Sequence, residues 1–255
     1  MALACDRNLF SAEPISARIL RDLRQDLGRS WRSLPLQRKH RLPRLPGVPL
    51  DLLFPAVCLG CRRLLRDEPP LPLCSLCAPE HLPLPPALRR VAGIEAVHAY
   101  AGPLARAVAA LKFSGQLELA GPLGRLLSRA DLLRQRWDAV IPVPLHPWRA
   151  LLRGYNQAEL LARWALRHGG QPAGRLQPRL LRRVRATAPQ TAQDATTRRQ
   201  NLADAFVAGP AAAGRRLLVL DDVTTTGATL EACLAALRSA GAGEVAGLAL
   251  LRTLA

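Results

Sequence analysis

From Ala87 onward the chain is written in long apolar segments that alternate between helical and extended spacing. Helical repeats occur at Leu104 to Leu111 and at Leu117 to Ser128, and a short apolar strand pattern follows at Ala139 to Val143. A helix is predicted from about Gln157 to Arg167. Asn156 with Glu159 three residues on forms a capping box at its start, and Gly169 and Gly170 stop it. Short strand candidates at Leu180 to Val184 and Ala205 to Val207 lead to the strongest signal, the unbroken run from Leu217 to Leu220. A helix from Gly227 to Ala240 and a last strand at Val245 to Leu251 complete the series. Strands alternating with helices over short connections predict an α/β fold with a doubly wound, mostly parallel sheet. Cys233 shares a helical face with Leu230 and Leu237, which marks it as a small buried hydrophobe.

Before Ala87 the pattern fails. Residues 1–47 are rich in Arg, carry no motif and end in Pro43, Pro46 and Pro49, so they read as a basic extension. A helix near Ile15 to Leu27 and a disordered arm are both compatible with that stretch. Residues 50–86 are proline-rich and favour turns. They hold Cys58, Cys61, Cys74 and Cys77, a C-x2-C pair, twelve residues, and a second C-x2-C pair. Two such knuckles bring four thiolates to the corners of a tetrahedron, the geometry of a structural Zn²⁺ site. With all four positions filled the metal would organise the fold and would not activate water. Two disulfides are the alternative, and His81, just past the last cysteine, is an alternative ligand. The expected division is therefore a 1–47 extension, a 50–86 zinc-ribbon module and an 87–255 α/β domain.

Charge adds a class of partner. With 36 basic against 19 acidic residues the net charge is +17, nearly all of it from Arg, and such a surface attracts polyanions. Nucleic acid is a candidate partner on this ground; an Arg-heavy composition spread over solvated faces explains the same number. At 49% hydrophobic residues the chain should bury a substantial core. No apolar run is long enough to cross a bilayer and the N-terminus lacks a signal-peptide pattern, so a cytoplasmic protein without membrane contact is expected.

The chemistry concentrates in LLVLDDVTTTGATLEAC, 217–233. A strand feeding a helix N-terminus is where an open α/β sheet holds a phosphorylated ligand, because free amides and the helix dipole favour an anion. Thr225, Thr226, Gly227, Ala228 and Thr229 are small enough for the backbone to close around a phosphate. Asp221 and Asp222 would repel it, so they must face sugar hydroxyls or a divalent cation. That combination suits a ribose phosphate. The segment from Pro142 to Gln157 leaves the carboxyl end of the first core strand and faces the same crevice. Its Arg149 and Arg153 are candidate phosphate clamps, or a solvated basic loop. Pro142 and Pro144 hold the turn rigid, with a cis bond left open, and Asn156 and Gln157 could orient a ligand. Lys112 is one of only two lysines, the other being Lys39, which suggests a flexible point charge at a phosphate site; chance placement on a helix end is the alternative. The long polar stretch 182–206 has the composition of a lid that closes over a reactive substrate.

Residues 217–233 resemble the phosphoribosyl pyrophosphate (PRPP) signature of type I phosphoribosyltransferases. The segments AVIPVPLHPWRALLRGYNQAELLA at 139–162 and YAGPLARAVAALKFSGQLELA at 100–120, with the cysteine-rich module ahead of them, narrow the resemblance to the competence-related ComF family. It covers roughly residues 50–253. The resemblance implies that Asp221 and Asp222 contact the ribose hydroxyls, that 225–229 wraps the 5′-phosphate, and that Val143, Pro144 and Leu145 supply backbone donors or shape for the pyrophosphate. Gln190, Arg198 and Asn201 match positions the ComF pattern favours, and the match implies Arg198 as a pyrophosphate contact in the closed state. Mg²⁺ accompanies PRPP, pyrophosphate is displaced at the anomeric carbon, and a competence helicase is an implied partner. A non-catalytic, DNA-associated accessory protein with an idle PRPP site is the competing expectation. The acceptor leaves no readable trace.

Overall fold

A computed structural model of the chain describes residues 57–65, 71–145, 153–184 and 205–254. The N-terminal extension, Arg149, Gln190, Arg198, Asn201 and most of the proposed lid lie outside the described residues. Five strands form the main sheet: β1 (Arg90–Val91), β2 (Ile94–Ala99), β3 (Ala139–Pro142), β6 (Arg216–Thr224) and β7 (Glu244–Arg252), in the order β1-β2-β7-β6-β3. Only β1 runs antiparallel; β2, β7, β6 and β3 are mutually parallel. The long helices are α1 (Gly102–Phe113), α2 (Ala120–Leu127), α3 (Gln157–His168) and α4 (Ala228–Ser239).

The apolar run Leu217 to Leu220 is continuous because both faces of β6 are covered. Leu218 and Leu220 join a core with Leu248 and Leu250 of β7 and with α1, α2 and α3. Leu217 and Val219 face the opposite core, built from α4 and from Leu181 and Phe206. All four leucine and valine side chains are fully buried, and the doubly wound, mostly parallel sheet expected from the sequence is what they build.

Three expectations are corrected. Strands β4 (Leu181–Arg183) and β5 (Phe206–Ala208) exist, but they pair antiparallel with each other as a separate ribbon. They bury one face only, leaving Val207 and Arg182 exposed, so they cap the α4-side core without entering the sheet. The strand β2, which the periodicity did not reveal, pairs with β7 and holds Glu95 almost fully buried. Finally, the predicted 117–128 helix begins as a 3-10 turn over Leu117–Leu119.

The start of α3 is half of the expected capping box. Asn156 Oδ1 accepts the Ala158 amide at 3.0 Å, while Glu159 pairs outward with Arg163 at 2.9 Å. Asn156 also donates Nδ2 to the Val143 carbonyl at 3.0 Å, which ties α3 to the end of β3. Asn156→Ala should cost about 1–2 kcal/mol, the cap plus the tether, read as a lower urea midpoint. An unchanged midpoint would show that neither bond contributes.

Candidate functional site

The site is built at the carboxyl end of β6. The strand does not end at the acids: Asp221 still pairs with Ala249, Val223 with Leu251 and Thr224 with Arg252. Because side chains alternate along a strand, Asp221 continues the row of Leu217 and Val219 towards α4, and Asp222 the row of Leu218 and Leu220 towards α1. Asp222 is 1% exposed and meets Lys112 from α1. Lys112 Nζ donates to Oδ1 at 3.5 Å and lies 3.2 Å from Oδ2, which has charge balance but no hydrogen-bond donor. Asp221 Oδ1 accepts the Asp222 amide at 2.9 Å. Lys112, at the end of α1, therefore stands at the acid pair.

Burial pushes the Asp221 carboxyl well above the ordinary carboxylate value, and the Asp222 charge adds to this while Lys112 opposes it. A raised folded-state pKa means that, above the ordinary value of 3.8, the folded form holds a proton the unfolded form has lost. Stability then falls as pH rises through that window. Asp221→Asn keeps the acceptor for the Asp222 amide and removes the titration. It should melt higher than wild type at pH 7 and show a flatter dependence of Tm above pH 3.8; a lower Tm at pH 7 would contradict the assigned environment.

Beyond Thr224 the chain turns through Thr225 and Thr226, both exposed, to Gly227 and the start of α4. Gly227 has φ +88°, and a Cβ there would lie 3.1 Å from Ile94 Cδ1, so backbone conformation and space both demand glycine. Thr226 Oγ1 accepts the Ala228 amide at 3.4 Å. Thr229 sits half-buried in the first helical turn, whose amides lack intrahelical acceptors. Glu231 shares that turn, and its charge subtracts from the field an anion meets.

Other expected residues take different roles. The Val143 amide is spent on the Leu220 carbonyl at 2.8 Å and Pro144 has none, so these two shape the crevice and do not donate to a ligand. The described peptide bonds are trans, Pro142 and Pro144 included. Arg153 donates to the buried Gln157 Oε1 at 2.6 Å and lies over the Phe113 ring at 5.7 Å, which brings α3 against the end of α1. Sequence reading missed Arg252, a 6% exposed guanidinium beside Thr224 that donates to the Ile94 carbonyl at 3.0 Å while its Nε has no partner among the described residues. An arginine ending an apolar strand next to LLVLDD was the available signal.

The four thiols form the second constellation. All four Sγ atoms lie within 4.8 Å of one another, and Cys61 and Cys74 are 3.6 Å apart. Zn–S bonds of about 2.3 Å require tetrahedral corners about 3.8 Å apart, so the cluster fits zinc, and a 3.6 Å separation is no disulfide. Burial pushes Cys61 up to about 11 and Cys77 higher still. At Cys74 burial also acts upward, but amide hydrogen bonds from Cys77 and Leu76 outweigh it and bring the thiol down to about 7. Two buried and two half-buried thiols held this close together suit a cation that binds them as thiolates. His81 packs edge-on against His98 at 5.4 Å and is not part of the cluster.

No family model matches the chain. DNA utilization protein YhgH of Escherichia coli O157:H7 is 36% identical over 225 residues, spanning 81% of this chain and 95% of that protein. Its counterpart in Salmonella typhimurium is 35% identical over 221 residues with the same coverage. Competence protein F of Haemophilus influenzae is 37% identical over 155 residues, 57% of this chain and 66% of that one. Among solved structures, the allosteric regulatory enzyme of purine biosynthesis aligns over 51% of this chain and 25% of its own, with a TM-score of 0.33 and 22% identity. No helix among the described residues is long and apolar enough to cross a membrane. With identity above one third along nearly the whole length of YhgH, and with the acid pair, the Gly227 turn and the four thiols in place, the chain belongs to the ComF family of competence and DNA-utilization proteins.

Proposed function

We propose that the carboxyl end of β6 and the start of α4 bind PRPP and support displacement of its pyrophosphate. The observation that carries this reading is the buried acid pair under Lys112, followed at once by a glycine-hinged turn into a helix N-terminus. Asp221 and Asp222 accept hydrogen bonds from the ribose diol, and the amides of 225–229 with the Thr225, Thr226 and Thr229 hydroxyls hold the 5′-phosphate. Lys112 leaves Asp222 for the pyrophosphate; its side chain is 30% exposed and can swing. Asp222 Oδ2, buried with no hydrogen-bond donor, suits a divalent cation, and Mg²⁺ bound with PRPP would neutralise the departing pyrophosphate. Carboxylates under the ribose offset the positive charge that develops at the anomeric carbon as the C–O bond to pyrophosphate breaks. Arg149 and Arg153, as guanidinium forks, and Arg198, from the 182–206 stretch, are assigned to the pyrophosphate, and a nitrogenous base is the class of nucleophile expected to replace it. The four thiols hold structural zinc, within the division into 1–47, 50–86 and 87–255.

A second reading has its own support. The net charge of +17 and relatives named for DNA utilization and competence favour a DNA-associated accessory protein, with a helicase among its partners, in which the sugar-phosphate site is idle. Calorimetric titration of PRPP separates the two. Saturable heat with Mg²⁺, lost in EDTA, is expected; its absence in zinc-loaded protein would remove the transferase reading. A DNA affinity falling with salt at a slope of about 0.9 per neutralised phosphate, alongside silent PRPP titrations, would establish the accessory role instead.

A further inference from the structure

A cavity of about 510 Å³ opens where the segment following the cysteine cluster crosses the edge of the sheet. Its floor is Glu95, Ala96 and Val97 of β2, and Leu126 of α2 closes one side. None of its lining residues comes from β6, α4 or the turn between them, so it is a site apart from the acid pair. The volume lies within the range of pockets that take small organic molecules.

The polar groups around it are unevenly spent. Glu95 accepts the amides of Asp131 and Leu132 at 2.9 and 2.8 Å and meets Arg90 at 3.3 Å, so its carboxylate is saturated and its charge balanced. It offers nothing to a cation. Three arginines, Arg89, Arg90 and Arg129, line the cavity against two carboxylates, Glu95 and Asp131. The imbalance is felt inside: the His98 ring is held down to about 4, first by burial and then by the charges of His81, Arg129 and Arg89. Burial, the larger cause, disfavours any charge on that ring; the smaller repulsion from Arg129 and Arg89 is the part that favours a negative charge at the cavity. His81 Nε2 is buried and has no hydrogen-bond partner among the described residues. Leu71, Pro83, Leu84 and Ala130 make the remaining wall apolar.

We propose that this cavity binds a small organic anion, a carboxylate or phosphate monoester on an apolar or aromatic body. The head group meets Arg89, Arg129 and the unpartnered His81 nitrogen, and the body lies on Leu84, Leu126 and Ala130. Occupancy fastens the segment after Cys77 to the edge of the sheet, because His81 and Pro83 belong to that segment and His98 and Leu126 to the α/β layers.

The test uses the full-length, zinc-loaded chain labelled with ¹⁵N in its imidazole rings, with His81→Gln and His98→Gln assigning two of the five histidines. Phenyl phosphate, benzoate and neutral benzyl alcohol are titrated separately at millimolar concentration. The expected result is a saturable shift of the His81 and His98 signals, with the remaining histidine signals unmoved. At least one of the two anions produces it and benzyl alcohol does not; which anion binds more tightly identifies the head group. Replacing both Arg89 and Arg129 by glutamine should weaken binding about tenfold or more. Asp222→Asn, which alters the proposed ribose site, should leave it unchanged. Silence of both histidines towards both anions would overturn the proposal. So would an equal response to benzyl alcohol, or a response undiminished in a double arginine variant that melts like wild type.

Discussion

Asp222→Ala should lower the affinity for magnesium PRPP about a hundredfold or more and leave the protein folded. Two hydrogen bonds to a charged acceptor, each contributing roughly 1.5–3 kcal/mol, account for that loss, at 1.4 kcal/mol per factor of ten. The folded state tolerates the change because the Lys112 side chain left behind is 30% exposed and can take its charge to water. The reverse substitution behaves differently. Lys112→Ala strands a carboxylate that is 1% exposed, with the Asp221 carboxyl beside it, and removing one partner of a buried pair costs about 3–5 kcal/mol. Screening at the exposed lysine places the expected loss near the lower end, about 3 kcal/mol. Thermal melts and calorimetry on both variants read this asymmetry. Unchanged affinity in Asp222→Ala would take the acid pair out of the ribose site, and a Lys112→Ala protein as stable as wild type would show that the ion pair does not hold α1 to β6.

Removal of zinc is expected to have an effect of similar size on stability. Cys58, Leu59, Leu73 and Cys77 belong to the same buried cluster as Leu104, Val108 and Leu111 of α1. A Cβ at Gly60 would lie 2.7 Å from Cys77 Sγ and 3.0 Å from Pro103 Cβ, so the first knuckle is packed directly on the start of α1. Structural zinc contributes about 10–16 kcal/mol of binding free energy to small folds, and losing even a third of it should lower Tm by about 10 °C or more in a chain of this size. Cys58→Ser or a strong chelator at neutral pH should produce that drop. Cys233→Ser, at a buried thiol on α4 outside the cluster, should retain one metal per chain by native mass spectrometry. A melting curve indifferent to chelation would exclude a structural metal.

Much of this was legible in the chain itself, for definite reasons. The run 217–220 could be read as a two-sided buried strand because it is short, apolar throughout and bounded by an acid pair and a Thr/Gly turn. The C-x2-C spacing fixed which thiols could meet. What escaped notice was carried by polar residues whose partners lie far away in sequence. Ile94–Ala99 reads as broken by Glu95 and His98, yet Glu95 is buried because two amides, 36 and 37 residues on, and Arg90 satisfy it. A local clue was present in Ala92 and Gly93, both at positive φ, the two-residue turn that joins β1 to β2. The extension of β6 through its acids was hidden for a similar reason. Asp221 and Asp222 look like a terminus, and only the ladder to Ala249, Leu251 and Arg252 keeps them in the strand. The role of Arg153 was only half local: Gln157 lies four residues on, but Phe113 sits at the end of α1.

One consequence of β6 remaining a strand through the acids concerns how the protein registers its ligand. Asp221 answers to the layer containing α4, and Asp222 to the layer containing α1. Whatever engages both carboxylates at once therefore clamps the two halves of the interior from the shared spine between them. Protection against amide exchange should then spread through both layers together, and a loop closing over the crevice is not required for the whole domain to sense that the crevice is filled.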